Sequence, residues 1–123
     1  MQLNEKLKEA LDLYNSGKYP ESCRALSLLV SQARDEEKKF YEALIKVAEA
    51  MGFVSGREWE KAKDAFLEAW RKLREVEDKN VEFLDVERLK EESYTAAVAA
   101  ERIIMGESHE FDGFYTPGMN LRE

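Results

Sequence analysis

The sequence predicts an all-α domain of five helices: two antiparallel helical hairpins, a long C-terminal helix and a non-helical aromatic tail. Three observations lead there. The only prolines are Pro20 and Pro117, and between them good helix formers dominate. Apolar residues recur at helical spacing in five successive segments, with no period-2 stretch of the kind a strand would show. The third observation is a weak internal repeat: a shift of 40 residues places Tyr19-Ser22-Leu26-Leu29 on Trp59-Ala62-Phe66-Ala69, and Leu3, Leu7 and Leu11 on Ala43, Val47 and Met51.

The first helix is expected over Gln2–Ser16. Leu3, Leu7, Ala10, Leu11 and Tyr14 form its apolar stripe, and Gly17 suits a left-handed C-terminal position. The second starts near Tyr19, where Pro20 fits a first-turn position, and carries Tyr19, Cys23, Leu26, Leu29/Val30 and Ala33. The two-residue gap implies a hairpin. Asp35 is the expected N-cap of a third helix running to about Phe53, with Phe40, Ala43/Leu44, Val47 and Ala50/Met51 on its face. Ser55-Gly56 breaks the pattern. The fourth helix is expected over Arg57–Glu77, where Trp59, Ala62, Phe66, Ala69/Trp70, Leu73 and Val76 give the cleanest amphipathic pattern. Asp78-Lys79-Asn80 reads as a polar connector. Asp85 then caps a last helix over Val86–Met105, whose Ser93, Ala96/Ala97 and Ala100 permit close packing; Gly106 ends it. The helical domain is thus residues 1–106, followed by an aromatic tail, residues 107–123. Phe111, Phe114, Tyr115 and Met119 are too apolar for an ordinary solvated tail, so they are expected either to fold back over the bundle or to dock on a neighbouring subunit.

The aromatic-x-x-small-x-x-x-large-x-x-small spacing lets two helices approach at the small residue while larger ones fill the flanking grooves. This pattern, clearest at Gly56…Trp59…Ala62…Phe66…Ala69, resembles the second helix of a tetratricopeptide unit, although the period of 40 exceeds the usual 34 or so. Over about residues 9–77 there is a closer likeness. The run Ala10-Leu11-Asp12-Leu13-Tyr14-Asn15-Ser16-Gly17-Lys18-Tyr19 is similar to the opening of an uncharacterised prokaryotic family of small helical proteins, a domain of unknown function. Phe40–Ala48 and Gly56…Ala62…Ala69 follow at matching spacing. Where that family carries His-Glu this chain has Cys23-Arg24, and where it carries Trp this chain has Val30. The resemblance therefore implies a fold and transfers no activity.

Composition narrows the functions. The chain has 123 residues, 19 Lys+Arg and 26 Asp+Glu, for a net charge of −7. That balance disfavours broad nucleic-acid binding. One Cys and one His supply neither a disulfide framework nor a structural zinc site, and nothing in the sequence asks for a cofactor. No apolar run approaches the roughly 20 residues of a membrane span, and the N-terminus lacks the pattern of a signal peptide, so a cytoplasmic location is expected. Two Gln and four Asn amid abundant Lys and Glu suit a thermophile, and equally a solvated helical surface.

Chemistry candidates are few. Cys23 has no His nearby to act as base and reads as a small hydrophobe of the core. Arg102 and His109 stand as Arg-x6-His, which resembles the loose motif of HEPN-superfamily ribonucleases, where an Arg and a His stabilise charge and shuttle a proton. Gly106 lies between them, on the helix that should present both. Carboxylate runs such as Glu91-Glu92 read as solvated helix faces. The expectation is a non-catalytic protein–protein interaction or assembly module, with self-association as a homodimer included. Its partner contacts are placed at Tyr19, Cys23, Trp59, Phe111, Phe114 and Tyr115; the alternative is a HEPN-like ribonuclease, or an inactive relative, using Arg102 and His109.

Overall fold

The first helix, α1 (Glu5–Asn15), opens on Asn4, whose Oδ1 accepts a hydrogen bond from the Leu7 N–H at 2.8 Å. This cap sets the start three residues later than the stripe alone implies, because a side-chain acceptor at Asn4 satisfies an otherwise orphan first-turn donor. α2 (Tyr19–Gln32) follows, with Pro20 in its first turn. α3 (Asp35–Ser55) is entered differently from expectation. Arg34 occupies the cap position and Asp35 is the first helical residue, with φ of 54°, a left-handed conformation that Asp tolerates better than most residues. α4 (Trp59–Leu73) is shorter than the expected Arg57–Glu77, and α5 (Val86–Ile104) is capped by Asp85, which accepts from the Arg88 N–H at 3.0 Å. The structure, a computed structural model, describes residues 1–122. Among them there are five α-helices, two short 3-10 turns and no strand. Among the described residues, no helix is long and apolar enough to cross a membrane.

Each helix packs on the next in the chain. α3 takes the central place. Phe40, Tyr41, Ala43, Leu44, Val47, Ala48, Ala50 and Met51 are all buried, a face too wide for one neighbour, because α2 and α4 both cover it. The small residues do the work foreseen for them: Ser22, Ala62, Ser93, Ala96 and Ala100 are fully buried, and the hydroxyls of Ser22 and Ser93 donate to the Ala10 and Leu89 carbonyls at 2.9 and 2.8 Å. A buried hydroxyl without such an acceptor would destabilise the core by about 1–3 kcal/mol. Between α4 and α5, Lys63 pairs with Glu101 at 2.7 Å and Trp70 packs on Tyr94 at 5.3 Å, so the two helices run in opposite directions.

Several positions 40 apart match in burial, although Leu3 is half-buried where Ala43 is fully buried. Leu7 and Val47, Ser22 and Ala62, and Leu26 and Phe66 are each fully buried, while Tyr19 and Trp59 are both half-buried. They match in backbone as well. At the end of α1, the N–H groups of Gly17 and Lys18 donate to the carbonyls of Tyr14 and Leu13; at the end of α3, those of Arg57 and Glu58 donate to Val54 and Phe53. Both are the double closure of a Schellman motif, which needs a left-handed residue. Gly17 has φ of 79° and Arg57 of 57°. The residue at Gly17 plus 40 is Arg57, and it is Arg57, not the neighbouring Gly56, that takes the left-handed conformation. α5 ends the same way at Gly106, φ 77°, with Glu107 N–H on the Arg102 carbonyl at 2.8 Å.

The connector from Arg74 to Asp85 departs furthest from expectation. Asp78, Lys79 and Asn80 are polar and not buried, but the residues around them join the core: Val76, Val81 and Leu84 are buried and Phe83 packs edge-on against Phe40 at 6.1 Å. Asp78–Asn80 forms a 3-10 turn within it. The Asp78 carboxylate accepts from the Val86 N–H at 3.0 Å, and Asn80 donates to Glu36 at 2.7 Å.

Candidate functional site: a face that holds the C-terminal segment

The tail folds back over the helices. It is held on α4, α1, α5 and the connector in turn. Phe111 lies flat on Phe66, ring centroids 6.0 Å apart and 2° from parallel, and stacks on Trp59 at 6.2 Å. The Tyr14 hydroxyl donates to the Pro117 carbonyl at 2.6 Å. The Asn15 amide donates to the Met119 carbonyl at 3.2 Å, and the Gly118 N–H donates to Glu92 at 3.0 Å. Met119 is fully buried. Leu121 bridges to Leu84, and the Arg122 N–H donates to the Phe83 carbonyl at 2.8 Å. The Arg122 guanidinium reaches Asp78 at 3.4 Å and Asp85 at 3.6 Å. α1 and α5 are not among the helix pairs that pack together, and the tail bridges them.

The electrostatics follow from this burial. Desolvation raises the Tyr14 phenol well above its ordinary pKa, with Tyr19 and Glu92 adding in the same direction. The neutral phenol is thus kept as a donor to Pro117. Burial also raises Tyr19, whose ring meets that of Tyr14 at 5.3 Å.

Of the residues expected to contact partners, Trp59, Phe111, Phe114 and Tyr115 come together in one aromatic cluster: Phe111 meets Tyr115 at 6.0 Å, and Tyr115 meets Phe114 at 5.7 Å. Tyr19 and Cys23 share a separate shallow cleft with Glu49 and Phe53. Cys23 is half-buried, more open than a core residue, with its sulfur 3.9 Å from the Ile45 carbonyl. Desolvation, then the nearby Glu49 carboxylate, pushes its thiol up to about 11, so it is a poor nucleophile at neutral pH. Arg102 is exposed on the last turn of α5 and His109 is exposed beyond Gly106; neither lines the clefts described here. Among the described residues, no three His, Cys, Asp or Glu side chains gather as a metal site requires.

Several residues that hold the tail had no such reading in the sequence. Tyr14 counted as core, Asn15 as part of a helix stop, and Glu92 as one carboxylate of a solvated run. Only Pro117 and Met119 stood in a segment already marked as unusual. Comparison with family models, with characterised proteins and with solved structures finds no match. Fold and site together define an all-α bundle of five helices whose C-terminal segment packs back on α1, α4, α5 and the connector.

Proposed function

We propose that this chain is a non-catalytic protein–protein interaction module, tetratricopeptide-like in its two helical pairs, whose face between α1 and α5 docks an extended peptide. One observation carries the reading: residues 117–119 of the chain's own tail are already hydrogen-bonded between α1 and α5 in a fixed register, by Tyr14, Asn15 and Glu92. Tyr14, Asn15 and Glu92 address backbone groups of Pro117, Met119 and Gly118, contacts that any peptide of suitable shape can make. Phe111 and Met119 are the side-chain anchors, eight residues apart. The approach to the tail, Gly106, Glu107, His109 and Glu110, is exposed and gives the strand a hinge on which to leave. A competing segment must displace an occupant tethered at millimolar effective concentration, so binding is weak until the tail is loosened.

The test uses the full-length chain and a labelled synthetic peptide of residues 107–122. Two variants loosen the tail, Met119→Lys from the tail side and Glu92→Gln from the receiving side. The expected result is that Met119→Lys binds the peptide at least about tenfold more tightly than wild type, while Glu92→Gln, which weakens the receiving face itself, gains less. The reading fails if Met119→Lys keeps its helical circular dichroism yet binds no peptide at about 1 mM.

A further inference from the structure

The seat of the tail is not uniform along its length. In the middle, Tyr14, Asn15 and Glu92 bond only backbone groups of residues 117–119, contacts that are blind to sequence. The two ends meet side chains. At the first, the Phe111 ring lies over two rings of α4, 2° from parallel with Phe66 and 22° from parallel with Trp59. Trp59 and Phe66 are both on α4, about two turns apart, so they offer one aromatic floor. Stacking on such a floor favours a planar ring beyond the apolar area it buries.

At the second end, a cation sits on a pair of carboxylates. Nη2 of Arg122 is 3.4 Å from both oxygens of Asp78 and 3.6 Å from Asp85. Both carboxylates are set in place without the tail. Asp78 accepts the Val86 N–H and Asp85 the Arg88 N–H, each at 3.0 Å. Among the described residues, Arg122 is the one cation within 4 Å of either. The surround is acidic too. Asp85, Glu91 and Glu92 line the cleft of about 640 Å³ between the tail and α5, and Arg88 there is paired with Glu92 at 3.3 Å. When the tail leaves, Asp78 and Asp85 lose their counter-charge, and the end of the seat selects a segment that restores it.

We infer that the partner segment is marked at both ends: an aromatic residue that stacks on Trp59 and Phe66, and, at the spacing of Phe111 and Arg122, an arginine that meets Asp78 and Asp85. The inference rests on the peptide-docking reading and adds the chemistry of the partner. That partner is a different protein and not a second copy. An identical tail from another copy makes the same contacts and forgoes the tether, so it loses to the tail already in place.

The test titrates labelled peptides of residues 107–122 into the full-length Met119→Lys chain, whose own tail is loosened. The peptides are the natural sequence, Phe111→Ala, Arg122→Gln and His109→Asp. The last lowers the charge by the same one unit as Arg122→Gln, at an exposed position outside both ends. Phe111→Ala should bind at least about tenfold more weakly than the natural peptide. Arg122→Gln should bind about fivefold more weakly at low salt, with the gap closing at high salt, and His109→Asp should match the natural peptide. A natural peptide that binds, but no more tightly than Phe111→Ala or Arg122→Gln, overturns this inference and leaves the docking reading standing. So does a loss in His109→Asp as large as that in Arg122→Gln. A natural peptide that does not bind overturns the docking reading and this inference with it. A wild-type chain that dimerises in sedimentation, and no longer does so as Met119→Lys, puts a second copy's tail in the seat and overturns the inference as well.

Discussion

Tyr14 and Pro117, 103 residues apart in the chain, are joined by a buried hydrogen bond of 2.6 Å from phenol to carbonyl. It ties the last turns of the first helix to the far end of the chain. Removing the hydroxyl leaves the Pro117 carbonyl buried without its donor. Tyr14→Phe should therefore destabilise the fold by about 1–2 kcal/mol, read as a lower urea midpoint.

The same phenol sets a pH dependence. Its pKa is raised above the ordinary 10.0, so the folded state holds the proton more tightly than the unfolded chain. The stability it contributes is complete below pH 10 and is lost as pH rises through the higher folded value. Thermal melts between pH 8 and 11 should fall more steeply at the alkaline end for wild type than for Tyr14→Phe.

Met119 is fully buried although it sits four residues from the C-terminus. Truncating it opens a cavity where the tail meets α1. Met119→Ala should cost about 2–4 kcal/mol and make the tail far more sensitive to limited proteolysis than in wild type.

Gly17 and Arg57 occupy the same left-handed position in two equivalent turns. A side chain there strains the backbone by about 1–2 kcal/mol, so Arg57→Gly should raise stability by about 1 kcal/mol and the melting temperature by about 3–6 °C. Gly17→Ala should do the reverse. A Cβ at Gly17 meets no atom within 4 Å, so any loss there comes from the backbone and not from a clash.

Cys23, with its thiol pushed up to about 11 from 9.0, should be alkylated by iodoacetamide at pH 8 about a hundredfold more slowly than an unperturbed thiol. Denaturation in urea should restore the ordinary rate.

Five helices and the spacing of their buried residues were legible because amphipathic periodicity is a local property. Helix ends were less so. The first helix begins at its Asn4 cap, and α4 stops at Leu73 because the chain must turn to bury Val76, Val81 and Leu84. Val76 was read as the end of the α4 stripe, whereas Val81 and Leu84 show no period and gave no sign of their burial. The tail declared itself through its aromatics, but its receiving side did not. Glu92 differs from Glu91 only in what lies opposite it in space, a segment 26 residues further along. The 40-residue spacing of side chains was visible in the sequence; that Gly17 and Arg57 adopt the same left-handed conformation is a matter of φ, which composition hides.

The account rests on the tail being seated on the face between α1 and α5. Amide hydrogen exchange by NMR on the full-length chain tests this most directly, with Gly118 and Arg122 as reporters, since their N–H groups donate to Glu92 and to the Phe83 carbonyl. The account predicts protection of both amides at least about a hundredfold over a random chain, lost in Met119→Lys while the α3 amides stay protected. Exchange of Gly118 and Arg122 at random-chain rates in the wild type would contradict it.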